Sequence, residues 1–270
     1  MSNIEALGSW LVCDRISGET VNEVWEELYS ILSSQGVEED SRDGEVCGEL
    51  INPVIVVRDP SRNVVTSPIR NMPIRYAIGE LLWYLSGSNK VSDIRTFSKA
   101  WDNLTDDGET LNSAYGFRIF EKFGFDQWEH VKSLLKNDPN TRQAVIHIKD
   151  ASNEQTKDLP CTLTLQFLIR DNKLNLIANM RSNDIWLGFP YDAFSFTCLQ
   201  MKMAMELGVE VGLYIHMAGS MHLYKRNLVG DTEVKGKPKK PVVRKSAVEG
   251  QCVPYKPGIG GDSLDKNWKE

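Results

Sequence analysis

Arg181, Ser182, Asp184 and Asp192 fall within the fourteen residues Asn179–Asp192, in the mostly apolar run NMRSNDIWLGFPYD. The run reads as the end of a strand, a turn at Gly188-x-Pro190 and the start of a helix. An arginine at a strand end among apolar residues needs an anionic partner. That partner is either Asp184, in a structural ion pair, or the phosphate of a bound nucleotide. Upstream, Leu159-Pro-Cys161-Thr162 puts a cysteine at the start of the preceding apolar strand. A lone cysteine in such a place is commonly a packed core thiol. With a guanidinium nearby it becomes a competent nucleophile. A thiolate that adds to C6 of a pyrimidine makes C5 nucleophilic, one of few routes to a new carbon–carbon bond on that ring.

Other polar residues stand in apolar surroundings. Glu80 lies in the middle of IRYAIGELLWYL, where a carboxyl must be paired, protonated or functional. His222 and Tyr224, at i and i+2, share one face of a strand and can both reach a sugar hydroxyl; a satisfied core pair is the alternative. Trp101-Asp102 and Tyr115-Gly116 suit a pocket wall or the core equally well. Arg42 in SRDG and Arg142 in NDPNTR sit on loop signals, where an isolated arginine is commonly solvated surface.

The elements that must position these groups follow from periodicity. Helices are predicted over Thr20–Ser33, Ile74–Leu85 (stopped at Gly87), Gln127–Leu135 and Asp192–Leu207, the last with Gly208 past its end. Strands are predicted over Leu50–Arg58, Gln143–Lys149, Leu163–Ile169, Leu174–Met180 and Leu213–Tyr224, the last interrupted at Gly219. Arg170-Asp-Asn-Lys173 is a hairpin signal. The Lys- and Pro-rich stretch 235–245 and the Pro- and Gly-rich stretch 254–261 read as extended structure and a tail. One domain over residues 1–230, with 231–270 as that tail, is the expected organisation.

The chain has 270 residues, 41% hydrophobic and 25% charged, enough for one sizeable core. A net charge of −6 argues against a protein that coats a nucleic-acid polymer, yet one or two arginines suffice for a single phosphate. No apolar run is long enough to span a bilayer, and Met1–Arg15 carries no signal-peptide pattern. Five scattered cysteines and four histidines have no zinc-site spacing, so no metal is expected and the thiols read as reduced, in a cytoplasmic protein.

Taken together, these pieces resemble the thymidylate synthase superfamily over about residues 20–228. They occur in the family's order: Arg42, Glu80 in GELLWYLSG, Trp101-Asp102, Tyr115-Gly116, Asn137-Asp-Pro-x-x-Arg142, Pro160-Cys161, Arg181-Ser182-x-Asp184, Leu187-Gly188-x-Pro190 and His222-x-Tyr224. The resemblance implies an α+β, three-layer fold with a large twisted mixed sheet flanked by helices. It implies a homodimer formed through the back of that sheet, with Arg142 reaching the phosphate in the other subunit's site. Cys161 would attack C6, and 5,10-methylenetetrahydrofolate would supply one carbon to C5. Glu80 would order waters and proton transfers, with Tyr115 beside it among the catalytic groups. Arg42, Arg142, Arg181 and Ser182 would hold the phosphate, and His222 and Tyr224 the ribose 3′-hydroxyl. Asp184, Trp101, Leu104 and Gly188 would face the folate.

The departures from the family pattern narrow the substrate. Asp192 stands where thymidylate synthases carry Asn. A carboxamide serves the N3–H and O4 of uracil; an ionised carboxylate offers no donor to O4 but accepts from the N4 amino group of cytosine, with one shared proton at N3. A mismatched buried polar pair costs roughly 1–3 kcal/mol, about ten-fold or more in preference. Thr162 follows the cysteine where the synthases usually have His, Leu104 replaces a second tryptophan, and Gln143 replaces a second arginine. The surrounding text resembles the deoxycytidylate hydroxymethylase branch of phages, in which water rather than hydride completes the reaction. The resemblance therefore implies conversion of dCMP to 5-hydroxymethyl-dCMP. A dCMP methylase, a CMP hydroxymethylase and a thymidylate synthase acting on dUMP remain as alternatives within the fold, and an RNA-binding regulator outside catalysis.

Overall fold

Val21, Val24, Trp25, Leu28 and Leu32 recur at helical spacing, and all are buried on one face of α1 (Val21–Ser34). This face packs on a mixed sheet. The computed structural model describes residues 15–34, 39–41, 44–151 and 155–229. Arg42 and the tail from residue 230 lie outside these residues, as do Cys13 and Cys252.

The described strands are β1 (Arg15–Gly18), β2 (Glu39–Ser41), β3 (Gly44–Ile51), β4 (Val54–Val57), β5 (Val145–His147), β6 (Thr162–Arg170), β7 (Lys173–Asp184) and β8 (Glu210–Tyr224). They form one sheet in the order β1-β4-β8-β7-β6-β5, with β3 on the second half of β8 and β2 on β3. β7 runs parallel to β8, and β1 to β4; the other pairs are antiparallel. The helices are α2 (Ile74–Ser86), α3 (Val91–Arg95), α4 (Tyr115–Phe120), α5 (Gln127–Asn137) and α6 (Phe189–Leu207). α6 is the crossover between β7 and β8 and lies on both strands; α2 packs in turn against α6 and α4. Among the described residues no helix is long and apolar enough to cross a membrane.

Alternation along the central strands separates two faces. Leu174, Leu176, Ala178 and Met180 of β7 are buried in the core, while Asn175, Ile177 and Asn179 point the other way and are half-buried. Thr164, Gln166 and Leu168 on β6, and Ile215 and Met217 on β8, are likewise half-buried.

Several elements differ from the sequence reading. Leu50–Arg58 is two strands, because Asn52 takes a left-handed turn (φ 52°) ahead of Pro53, which has no N–H for a ladder. α6 begins three residues early, at Phe189, because Pro190 is tolerated in a first helical turn. β8 is unbroken at Gly219: its register with β7 continues from Met180↔Ala218 to Ser182↔Ser220. The strand expected over Gln143–Lys149 shortens to Val145–His147. The hairpin at Arg170–Lys173 forms as expected, with Asp171 and Asn172 both at positive φ.

The approach of α4 to α2 requires a glycine. A Cβ on Gly116 would lie 2.0 Å from the carbonyl oxygen of Tyr84. Gly116→Ala is expected to lower stability by roughly 1–3 kcal/mol, a drop of several degrees in Tm. A thermal melt checks this; an unchanged Tm would mean the helices separate freely.

Candidate active site

A cavity of about 430 Å³ opens where α2, the end of β7, the start of α6 and the end of β8 meet. Of the fourteen candidate residues picked from the sequence, twelve line it, including Cys161, Glu80, Asp184, Asp192 and His222. Arg142 does not: it is exposed on the turn between α5 and β5. Arg42 lies outside the described residues.

The parallel register of β7 and β8 brings distant sequence together. It sets Asp184 beside His222 and Ser182 beside Ser220. Ser220 Oγ donates to Glu49 Oε1 on β3 and lies 3.3 Å from His222 Nδ1, which fixes the imidazole. The His222 and Tyr224 rings meet edge to face, 5.0 Å apart.

Cys161 is half-buried just before β6. Its carbonyl accepts from Arg181 N (2.8 Å), so the thiol and the arginine are positioned by one backbone bond. The Arg181 guanidinium donates to the carbonyls of Pro160 and Leu159 (3.1 Å each). It is exposed rather than embedded in the core. Backbone acceptors, not Asp184, hold it, and that leaves its charge available to an anion in the cavity. Tyr115 Oη accepts from Thr162 N at 3.3 Å, beside the thiol.

The turn into α6 is held closely. Gly188 N donates to Asp184 O (2.9 Å) and Gly188 O accepts from Asp192 N (3.0 Å). A Cβ at 188 would meet Asp184 O at 2.9 Å and Asn183 Nδ2 at 3.0 Å. Asp184 Oδ1 accepts from Trp186 N (2.8 Å), and burial raises its pKa. The same cavity wall carries Trp83, Trp101, Leu104 and Leu187, four flat or apolar faces that share it with the Asp184 carboxyl. That donor set fits a flat heterocycle with an N–H edge, such as the pterin of a folate.

Glu80 and Asp192 are buried in the cavity wall. Burial pushes Asp192 up to about 7, while a hydrogen bond from Asn183 Nδ2 (2.6 Å) works against that rise. Burial, and then the charge of Asp192, push Glu80 up to about 8. Asp192 is therefore not a fixed carboxylate near neutral pH. When protonated it has a donor as well as an acceptor, so the expectation that it offers nothing to O4 of uracil holds only above about 7.

Among the lining residues that the sequence reading did not single out are Tyr76, Asn183, Tyr191 and Arg226. Tyr76 could have been found, since it precedes Glu80 by four positions on a helix. Arg226 follows His222-x-Tyr224 in step and lies 4.1 Å over the Tyr224 ring.

The chain matches the thymidylate synthase family model over residues 23–243 and belongs to that family. It is 32% identical over 224 residues to the deoxyuridylate hydroxymethyltransferase of Bacillus phage SP01, covering 77% of this chain and 58% of that protein. It is 34% identical over 208 residues to the enzyme of the same name from Pseudomonas phage M6, covering 75% and 59%. The chain thus spans about three fifths of the length of these two relatives. In structure it resembles thermostable thymidylate synthase A from Bacillus subtilis (TM-score 0.66, 25% identity), covering 76% of this chain and 80% of that one.

Asp192 and Glu80 also mark stability. In the unfolded chain they ionise near 3.8 and 4.5; in the native protein they keep their protons to about 7 and 8. The native state binds more protons between these values, so their contribution is full at low pH and is lost as pH rises through 7 and 8. Asp192→Asn is expected to flatten the fall in Tm of the ligand-free protein between about pH 4 and 7, the interval between the unfolded and native values of Asp192. An unaltered pH–Tm curve would show that Asp192 titrates normally.

Proposed function

We propose that the protein transfers one carbon from 5,10-methylenetetrahydrofolate to C5 of a pyrimidine deoxynucleotide, with dCMP preferred and a hydroxymethyl group as product. The observation that carries this reading is the gathering of Cys161, Glu80, Asp184, Asp192, Arg181 and His222 in one cavity. Arg181, with Ser182 beside it, binds the phosphate, and His222 with Tyr224 binds the ribose. Cys161 adds to C6, Tyr115 borders the thiol, and Glu80 moves protons. The folate, when bound, supplies a carbon at the oxidation level of formaldehyde. Trp101, Leu104, Gly188 and Asp184 would hold it. Among the described residues no group of three metal-ligating side chains occurs.

Asp192 reads the base. With cytosine, one proton is shared between the carboxylate and N3, and the other oxygen accepts from N4. The half-buried second face of the sheet supports a homodimer, and the exposure of Arg142, which does not line this chain's own cavity, supports its serving the phosphate of a neighbouring site.

A second reading is favoured by two observations: the phage relatives are named for deoxyuridylate, and Asp192 takes up a proton near 7. A protonated Asp192 donates to O4 and accepts from N3–H. The two readings separate by pH. Cytosine N3 is basic and holds the shared proton as pH rises; uracil O4 is not, so dUMP binding falls off sooner above 7.

The test is mass spectrometry of products from dCMP, dUMP and CMP, each with methylenetetrahydrofolate, from pH 6 to 9. Gain of CH₂O on dCMP at every pH is expected. Gain on dUMP alone, falling off above pH 7, would establish the second reading, and gain of only CH₂ would make hydride the finishing nucleophile. Cys161→Ala is expected to keep nucleotide affinity within about two-fold and to lose turnover by several orders of magnitude. Asp192→Asn is expected to shift kcat/KM toward dUMP by about ten-fold.

A further inference from the structure

We propose that Tyr76 is a positioning residue of this site: its phenol pins one oxygen of Glu80 and leaves the other to accept a proton from the water that completes the reaction. The inference rests on the hydroxymethyl reading above and names the group that readies its last step.

The direction of the hydrogen bonds is set by the atoms. Trp101 Nε1 only donates, and it lies 3.2 Å from Tyr76 Oη. The phenol therefore accepts there and spends its own proton on Glu80 Oε1, 3.1 Å away. Tyr76 and Glu80 are four residues apart on α2, one turn along the same face. The Tyr76 ring is held edge-on against Tyr191 at 4.7 Å, so the phenol is not free to swing. Burial and the Glu80 charge keep it protonated well beyond the ordinary range.

Glu80 Oε2 is buried and has no hydrogen-bond partner among the described residues. An acceptor in that state is costly until a donor arrives. Water beside the nucleotide is such a donor. In the step proposed, water oxygen bonds to the exocyclic methylene carbon on C5. The exocyclic double bond shifts to C5–C6, the C6–S bond breaks and Cys161 leaves as thiolate. The proton lost by water goes to Glu80 Oε2. No oxidant or reductant enters.

Glu80 must be ionised to take that proton, so the rate should rise with pH toward about 8. The bond from Tyr76 favours the ionised form. Tyr76 and Tyr84 from α2, Asp192 from α6, Tyr115 from α4, and Cys161, Arg181, Asp184, His222 and Arg226 from the strand side share the cavity with Glu80.

Tyr76→Phe keeps the ring and removes only the hydroxyl. The expected result is nucleotide Kd within about two-fold, kcat for the hydroxymethyl product lower by roughly ten-fold, and the rising pH limb moved to higher pH. In the ligand-free protein, the carboxyl infrared band that Glu80→Gln removes should titrate at higher pH in Tyr76→Phe. Trp101→Phe should move the same band the same way by less, and it decides the matter if Tyr76→Phe does not fold. A wild-type pH limb in Tyr76→Phe, or a fall in kcat with the Glu80 titration unmoved, overturns the inference while leaving the hydroxymethyl reading intact. Wild-type protein that makes no hydroxymethyl product from either deoxynucleotide overturns both.

Discussion

Two carboxyl groups enclosed in one cavity without a salt-bridge partner among the described residues are the constraint on which this site depends. Neither Glu80 nor Asp192 is matched by a cation, so charging either one is expensive. What offsets the cost is neutral: a phenol on Glu80 and a carboxamide on Asp192. The balance leaves both groups poised near neutral pH, where each can take a proton and return it. A cation in their place would hold them permanently ionised.

The fold is arranged to keep that balance. α6, as the crossover between two parallel strands, carries Asp192 in its first turn, eight residues after the end of β7. α2 packs across α6 and brings Glu80 to the same wall, and the close seating of Gly116 against Tyr84 fixes α4 and Tyr115 behind it. The aromatic side chains between these helices exclude water, which is what raises the carboxyl pKa values. The polar side of the cavity is built differently. Arg181 hangs on backbone carbonyls, and His222 is steadied by Ser220 and Glu49, so those groups are oriented by the sheet ladder.

Base choice in such a site is linked to protonation. A carboxyl that titrates near 7 is a different reader above and below that value, whereas a carboxamide is the same reader at every pH. The likeness to two phage enzymes named for deoxyuridylate and the carboxyl of Asp192, the residue proposed to read the base, meet in this one property.

Much of the fold and most of the site were legible in the residues. Long periodic segments identify themselves: α1, α2, α5 and the hairpin of β6 and β7 lie where their patterns place them. The short elements β1, β2, α3 and α4 span too few residues to show a period, and the kink at Asn52 divides what looks like one apolar run. The chemical residue types were equally visible, because a glutamate inside IGELLWYL or an arginine beside SND is out of place in its local pattern. Only tertiary structure decided what each of them does. It turned Arg181 from a supposed buried charge into an exposed one held by carbonyls, left Arg142 outside its own cavity, and tied Tyr76 to Glu80 and Trp101. Residue identity depends on the chain alone, but a pKa or a hydrogen bond depends on the dielectric and on neighbours that are distant in sequence, and those exist only once the sheet and helices have closed around the site.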